Sequence, residues 1–220
     1  MDAQAPFDSS AIADVILRSS DNIQFYVLGA FLYFVSHDQT FRDELSASRG
    51  LLMGENETRG NLAIIDLSAH SEMIYIVLEL IYPRADEPQF RNLDVFRKVC
   101  KTAQLYSMTV VEDKLKNQII ASQFMKSEPF RLYAIAIDLG WEAVALAAAR
   151  ETLQIPLKKL AFVDELQDIS GASFYRFLNY RSRCDNSIDL DISEENLMIQ
   201  ESSDKKTNVF GSAAEAQGSF

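Results

Sequence analysis

Asp14-Val15-Ile16-Leu17-Arg18 and Ile23-Gln24-Phe25-Tyr26-Val27, joined by the polar turn Ser19-Ser20-Asp21-Asn22, open the stretch that decides the fold. Two short apolar runs around a Ser/Asp/Asn cluster read as a β-hairpin. Leu28-Gly29-Ala30-Phe31-Leu32-Tyr33-Phe34-Val35 follows as a helix that is apolar almost all round. A polar stretch comes next, then a third strand at Leu62-Ala63-Ile64-Ile65-Asp66-Leu67. Residues 68–71 supply capping side chains for a helix over 72–82, which Pro83 ends. A hairpin, an unusually apolar helix and no reactive side chain point to surfaces rather than chemistry.

Beyond the loop bracketed by Pro83 and Pro88, Asn92 or Asp94 opens a helix with Val95, Val99, Thr102 and Ala103 at helical spacing. Tyr106-Ser107-Met108 reads as a tight break before a helix over 110–122, whose Val111, Leu115 and Ile119 form one core-facing stripe. Residues 127–184 read as helix throughout. Phe130, Tyr133, Ala134 and Ile137 mark one amphipathic helix closed by Gly140, and the alanine-rich run 141–153 marks the next, with Pro156 beyond it. A short helical turn is expected around 160–163, then a last helix over 172–181 with Phe174, Phe177 and Leu178 on one face. The class is α+β: a small mixed sheet with helices over 7–124, then an all-helical extension over 127–184. From Asp185 the composition changes. Eight acidic residues against Lys205 and Lys206 put more than half of the chain's net charge of −11 into the last 36 positions, and this acidic tail is expected to be disordered.

Charge and composition exclude several function classes. Phosphate binding needs a basic stripe, which a net −11 does not provide, so no nucleic-acid partner is expected. The same sign argues against an anionic membrane surface, and the longest apolar run, 27–35, is about half of a membrane span. The Arg181/Arg183, Lys158-Lys159 and Lys205-Lys206 clusters are too small to change this. Cys100 and Cys184 are too few for a disulfide framework, and Cys100 falls on the apolar side of its helix. With no secretory signal at residues 1–10, an intracellular location is expected, cytoplasmic or nuclear.

Catalytic chemistry finds little material. The two imidazoles, His37 and His70, fall in polar loops and in no motif, and no Gly-x-Ser-x-Gly turn or glycine-rich phosphate loop is present. Asp189-x-Asp191-x-Ser193 begins like a calcium loop, but Glu194 stands where glycine is needed and Gln200 where glutamate is needed. No enzyme activity, metal or cofactor is expected. The competing class is a helical enzyme or small-ligand carrier, drawing on Tyr133, Asp138, Trp141 and Tyr175.

The ordered series of elements is similar to a BTB/POZ domain. The likeness is carried by Ala13-Asp14-Val15, the hairpin into Phe25, the apolar helix, Phe41-Arg42-Asp43-Glu44-Leu45, Leu78-Glu79-Leu80-Ile81-Tyr82 and the closing helical pair with Ala103-Gln104-Leu105-Tyr106. Residues 129–180 resemble the helical extension of many such proteins, particularly fungal ones. The resemblance implies a non-enzymatic protein–protein interaction module that homodimerises through its first helix. As an alternative it implies a substrate adaptor that docks a cullin-type ubiquitin ligase. Leu28-Gly29 stands where the family carries a His-Lys pair, leaving only Asp14 of a charged pocket between protomers. The turn His37-Asp38-Gln39-Thr40 is about two residues longer than usual, and Val95-Phe96-Arg97-Lys98 replaces the hydrophobic-x-acidic motif of cullin-binding members.

Two segments are therefore candidate contact surfaces. Leu28, Phe31, Leu32, Phe34 and Val35, with Val15 on the adjoining strand, need a cover, either later helices of the same chain or a second copy across a two-fold axis. In the tail, Ile188, Leu190 and Ile192 alternate with acids. That pattern fits a solvated linker, a strand lying on its own domain, or a strand added to the sheet edge of a partner, as small-ubiquitin-like modifiers accept.

Overall fold

The computed structural model describes residues 1–48, 57–59, 61–82 and 88–186. The chain divides into two compact units, Met1–Glu128 and Pro129–Phe220. The class is α+β.

The first unit is built on the predicted hairpin. Strands β1 (Val15–Arg18) and β2 (Gln24–Val27) pair antiparallel, from Val15 opposite Val27 to Arg18 opposite Gln24. Asn22 closes the turn at φ 61°, a left-handed conformation that asparagine tolerates better than most side chains. Strand β3 (Thr58–Arg59) is a two-residue edge that the sequence reading did not include. Strand β4 (Leu62–Asp66) matches the third expected strand and lies parallel to β1, so the sheet order is β2-β1-β4-β3. Parallel neighbours need a crossover rather than a tight turn. Helices α1 (Gly29–Val35) and α2 (Gln39–Ser48) lie within that crossover.

Register sorts the strand side chains by face. Val15, Leu17, Phe25, Val27 and Ile65 are buried on one face, and Gly29 of α1 comes so close that a Cβ there would sit 3.3 Å from Val15. Ile16, Tyr26 and Ile64 form the other face, covered by Ala11 and Ala13 of the chain's own N-terminal segment. That segment also closes the edge of β2. Gln24 donates to Met1, Ala3 donates to Gln24, and Tyr26 donates to the Phe7 carbonyl at 2.9 Å. Residues 1–7 therefore belong to this unit, and they protect an edge that would otherwise be free to pair.

Helix α2 replaces part of the stretch read only as polar. Among its described side chains just Phe41 and Leu45, one turn apart, are buried, too few to signal amphipathicity. The lengthened turn has a local use: the Asp38 carboxylate accepts from the Phe41 amide at 2.7 Å and caps the helix start. Helices α3 (Ser71–Ile81), α4 (Leu93–Leu105) and α5 (Thr109–Ala121) supply the remaining core through Val77, Leu78, Phe96, Val99, Leu115 and Ile119. Cys100 is buried, which pushes its thiol well above the ordinary range. The expected break between α4 and α5 is present, with Ser107 at φ 50°. A one-turn helix, α6 (Phe124–Ser127), ends the unit.

The start of α3 is capped from a distance. Asp21, in the hairpin turn, accepts from the Ser71 amide at 2.9 Å and from the Ser71 hydroxyl at 2.6 Å. Burial alone would raise the Asp21 carboxyl, but these hydrogen bonds outweigh it and hold the group below the usual carboxylate range. A lowered native value makes its stabilisation complete above about pH 4 and progressively lost as pH falls below that. Asp21→Asn is expected to cost about 1 kcal/mol at neutral pH. Thermal unfolding of both proteins between neutral and strongly acidic pH checks this: the gap should narrow on acidification, and a gap independent of pH would refute the assignment.

In the second unit, α7 (Pro129–Asp138) and α8 (Glu142–Thr152) form a helical hairpin. Gly140, at φ 73°, lets its own amide reach the Ile137 carbonyl and the Trp141 amide the Ala136 carbonyl, satisfying the end of α7. Ala145, Ala148 and Ala149 are buried along α8, where small side chains permit close approach. The helical turn expected at 160–163 is not there. Short 3-10 turns occupy Leu157–Lys159 and Asp164–Asp168 instead, with extended backbone at Leu160 and Val163 between them. The last helix, α9 (Gly171–Asn186), is longer than the expected 172–181. Its Phe177 is buried against Phe130 and Tyr133, at ring separations of 5.1 and 4.7 Å.

Arg181 corrects a reading of the sequence, since it belongs to the core and not to a surface basic cluster. It is 2% exposed and donates to the Thr152 carbonyl and, at 2.6 Å, to the Ile155 carbonyl. A buried cation thereby closes the negative end of α8. Ser173, Phe177 and Arg181 recur at i, i+4, i+8, a spacing that places the arginine on the buried stripe. Arg131 and the buried Glu165 form a second internal contact at 2.7 Å.

Candidate interaction surface

Helix α1 is only two turns long, and both its ends are tied to distant segments of the first unit. At its start the Asp14 carboxylate accepts from the Gly29 amide at 2.6 Å, and the Tyr82 hydroxyl accepts from the Leu28 amide at 2.7 Å. Asp14 thus caps a helix here. Burial pushes the Tyr82 phenol above its ordinary value; the Leu28 amide opposes this and the nearby Asp14 charge adds to it. At the other end Ser36 donates its hydroxyl to the Tyr106 carbonyl at 2.6 Å, and the His37 amide donates to Ser107. A short helix held this way presents a fixed surface, and little order remains to be lost on binding.

Its two faces differ sharply. Gly29 and Leu32, three residues apart, point into the core, and Leu32 is 1% exposed. On the opposite side Phe34 is 78% exposed and Phe31 37%. Leu28, Ala30, Tyr33 and Val35 are half-buried flanks. The helix carries no charged residue, and its one polar side-chain atom is the Tyr33 hydroxyl. Arg42 of α2 stacks its guanidinium 4.2 Å from the Tyr33 ring centre and shields that flank. Amphipathic surface helices turn a polar face outward, whereas α1 turns out two phenylalanines.

The candidate residues therefore separate. Val15 and Leu32 are core and have no surface left for a second chain, because Val15 lies under Gly29 and Leu32 is on the inward face. Phe31, Phe34, Leu28 and Val35 keep exposed area. The structure adds an aromatic row that the sequence reading lacked. Phe31 packs on Tyr82 at 4.9 Å, Tyr82 on Phe7 at 5.2 Å, and Phe7 on Tyr75 at 5.6 Å. Residues from three separate segments meet there, which no local pattern could reveal. At the Ser36 end the helix abuts the α4–α5 turn, where Leu105 and Val110 are also exposed. Ile188, Leu190 and Ile192 lie outside the described residues.

No sequence-family model matches this chain, and no curated protein matches it either.

The histidines make local contacts. His70 caps α3 through Nδ1, accepting from the Glu72 amide at 3.5 Å, and its Nε2 is 3.4 Å from Asp21. The neighbouring Ser71 hydroxyl donates to Asp21 rather than to the imidazole, so serine, histidine and aspartate here do not form a nucleophile–base relay. His37 is exposed, with Nδ1 3.4 Å from the Thr109 hydroxyl. Among the described residues there is no cluster of three or more metal-ligating side chains, and no helix is long and apolar enough to cross a membrane. Where the resemblance would place a cullin contact, Phe96 is fully buried against the core and Phe90, leaving Val95, Arg97 and Lys98 nearer the surface.

Proposed function

We propose that this chain is a non-enzymatic interaction module of the BTB/POZ type that homodimerises through α1. The observation that carries this is Phe34, 78% exposed beside Phe31 on a rigid helix with no polar outer face. The element order supports it: a hairpin, an apolar helix, a strand returning parallel to the first, and paired helices after it. A two-fold axis through α1 would place the Phe34 rings of both copies in one patch and cover each with the other's flank.

The energetics require more than these rings. Covering Phe31 and Phe34 on both chains gains on the order of 10 kcal/mol gross at about 25 cal/mol per Å², yet removes only roughly 230 Å² from each. Association costs at least about 4 kcal/mol, and stable interfaces bury roughly 800 Å² per partner. The contact must therefore extend onto Leu28, Val35 and neighbours such as Leu105 and Val110, and its affinity falls in the micromolar range (about −8 kcal/mol). Co-purification of tagged and untagged copies from one expression tests self-association directly, with Phe34→Asp in the untagged copy abolishing recovery. A cullin-adaptor role has no comparable support, since Phe96 is internal and the basic Arg97 and Lys98 stand where an acid is expected.

A further inference from the structure

The connection between α8 and α9 is more apolar outside than its role as a link requires. Leu157 is 51% exposed and Phe162 68%. Lys158 and Lys159 stand exposed between them, while the backbone beyond runs extended at Leu160 and Val163. Among the described residues, no hydrogen bond engages the amides of Ala161, Phe162 and Val163. Exposed aliphatic and aromatic side chains beside two adjacent cations suit an acidic segment with alternate aliphatic side chains, and past the 3-10 turn the extended backbone leaves amides open to it. Asp164 and Asp168 follow at once, so the favourable stretch for an acidic occupant ends at Phe162.

Chain connectivity brings one such occupant close. Arg181 is bound to the carbonyls of Thr152 and Ile155, so the end of α9 lies beside the start of this connection. The remaining five residues of the helix advance about 8 Å. Residues 187–192 can then span up to roughly 20 Å. Within that reach Ile188-Asp189-Leu190-Asp191-Ile192 alternates aliphatic and acidic side chains, followed by Glu194 and Glu195.

We propose that 188–195 lies in cis along 157–162. Its alternate aliphatic side chains cover Leu157 and Phe162, and the long Lys158 and Lys159 side chains bend to the acids at its margin. The chain would thus mask its own docking ledge, which a partner with the same acidic–aliphatic strand could reach only by displacing the tail. This proposal is independent of how α1 is covered.

Zero-length carbodiimide cross-linking of the full chain, in an equal mixture of isotope-labelled and unlabelled protein, tests it. The expected result is Lys158 or Lys159 joined to Asp189, Asp191, Glu194 or Glu195 in peptides of single isotopic origin. The yield should fall by more than half in roughly 0.5 M salt, where screening is strong. It should fall similarly in a chain carrying Ile188→Ser, Leu190→Ser and Ile192→Ser. Absence of these cross-links would overturn the proposal, as would links of mixed isotopic origin, which place a second copy on the ledge. A yield unchanged by the triple serine substitution would also overturn it, because the aliphatic contacts would then contribute nothing.

Discussion

Phe34→Asp is expected to leave a folded monomer where the wild-type chain forms a dimer. Phe34 is 78% exposed in the single chain, so its replacement removes almost no core contact. Surface changes of this kind usually alter stability by about 0.5 kcal/mol or less. An acid near the end of α1 opposes the helix dipole by a further ~0.5 kcal/mol. In the dimer the same change acts once on each chain, removing a central aromatic and burying two like charges near the axis. Losses of this type reach about 4 kcal/mol, roughly a thousandfold in the dimer constant. Phe34→Lys should give the same monomer with a favourable charge at the helix end, which separates loss of the interface from loss of α1. If either variant still dimerises with wild-type affinity, α1 is not the contact.

The second large effect is expected at Arg181. Its guanidinium is buried and binds the Thr152 carbonyl at the end of α8 and the Ile155 carbonyl just beyond, while its Nε has no hydrogen-bond partner among the described residues. Opposing contributions must be compared. Arg181→Met relieves the desolvation of a cation, a change that is often neutral when the partner is removed as well. Here the partners are backbone carbonyls that remain, each losing about 1–3 kcal/mol if left unpaired. The carbonyls should dominate, giving a net loss of about 3 kcal/mol for the methionine variant. Arg181→Lys retains the charge but has a single donor group, and about half that loss is expected. Urea unfolding of the full chain gives the values, and hydrogen exchange at the end of α8 and in α9 locates them. Equal stability of wild type and Arg181→Met would show that the arginine contributes nothing to closing that helix.

Periodicity made most of the scaffold legible. The hairpin, β4 and the stripes Val111/Leu115/Ile119 and Phe130/Tyr133/Ala134 follow directly from spacing, and Gly140 marks its helix end. What escaped was set by distant partners. Helix α2 buries only Phe41 and Leu45 among its described side chains, β3 has two residues, and the closure of β2 by residues 1–7 needs backbone atoms with no side-chain signature. For the surface, composition identified the apolar excess of residues 28–35 but could not divide it. Val15 and Leu32 proved to be core, whereas Phe31 and Phe34 proved exposed, because the rotation of a two-turn helix is fixed by its end contacts. Asp14 and Tyr82 set those contacts at one end, and Ser36 at the other. Tyr82 came to flank the surface, with the buried Phe7 ring behind it, only through tertiary folding.

Sedimentation equilibrium of the wild-type full chain, from roughly 1 to 100 µM, across the expected micromolar dissociation constant, tests the central claim most directly. The account predicts a monomer–dimer equilibrium with a dimer of twice the 24.8 kDa chain mass predominating at the upper end. A single species of 24.8 kDa over the whole range would contradict it.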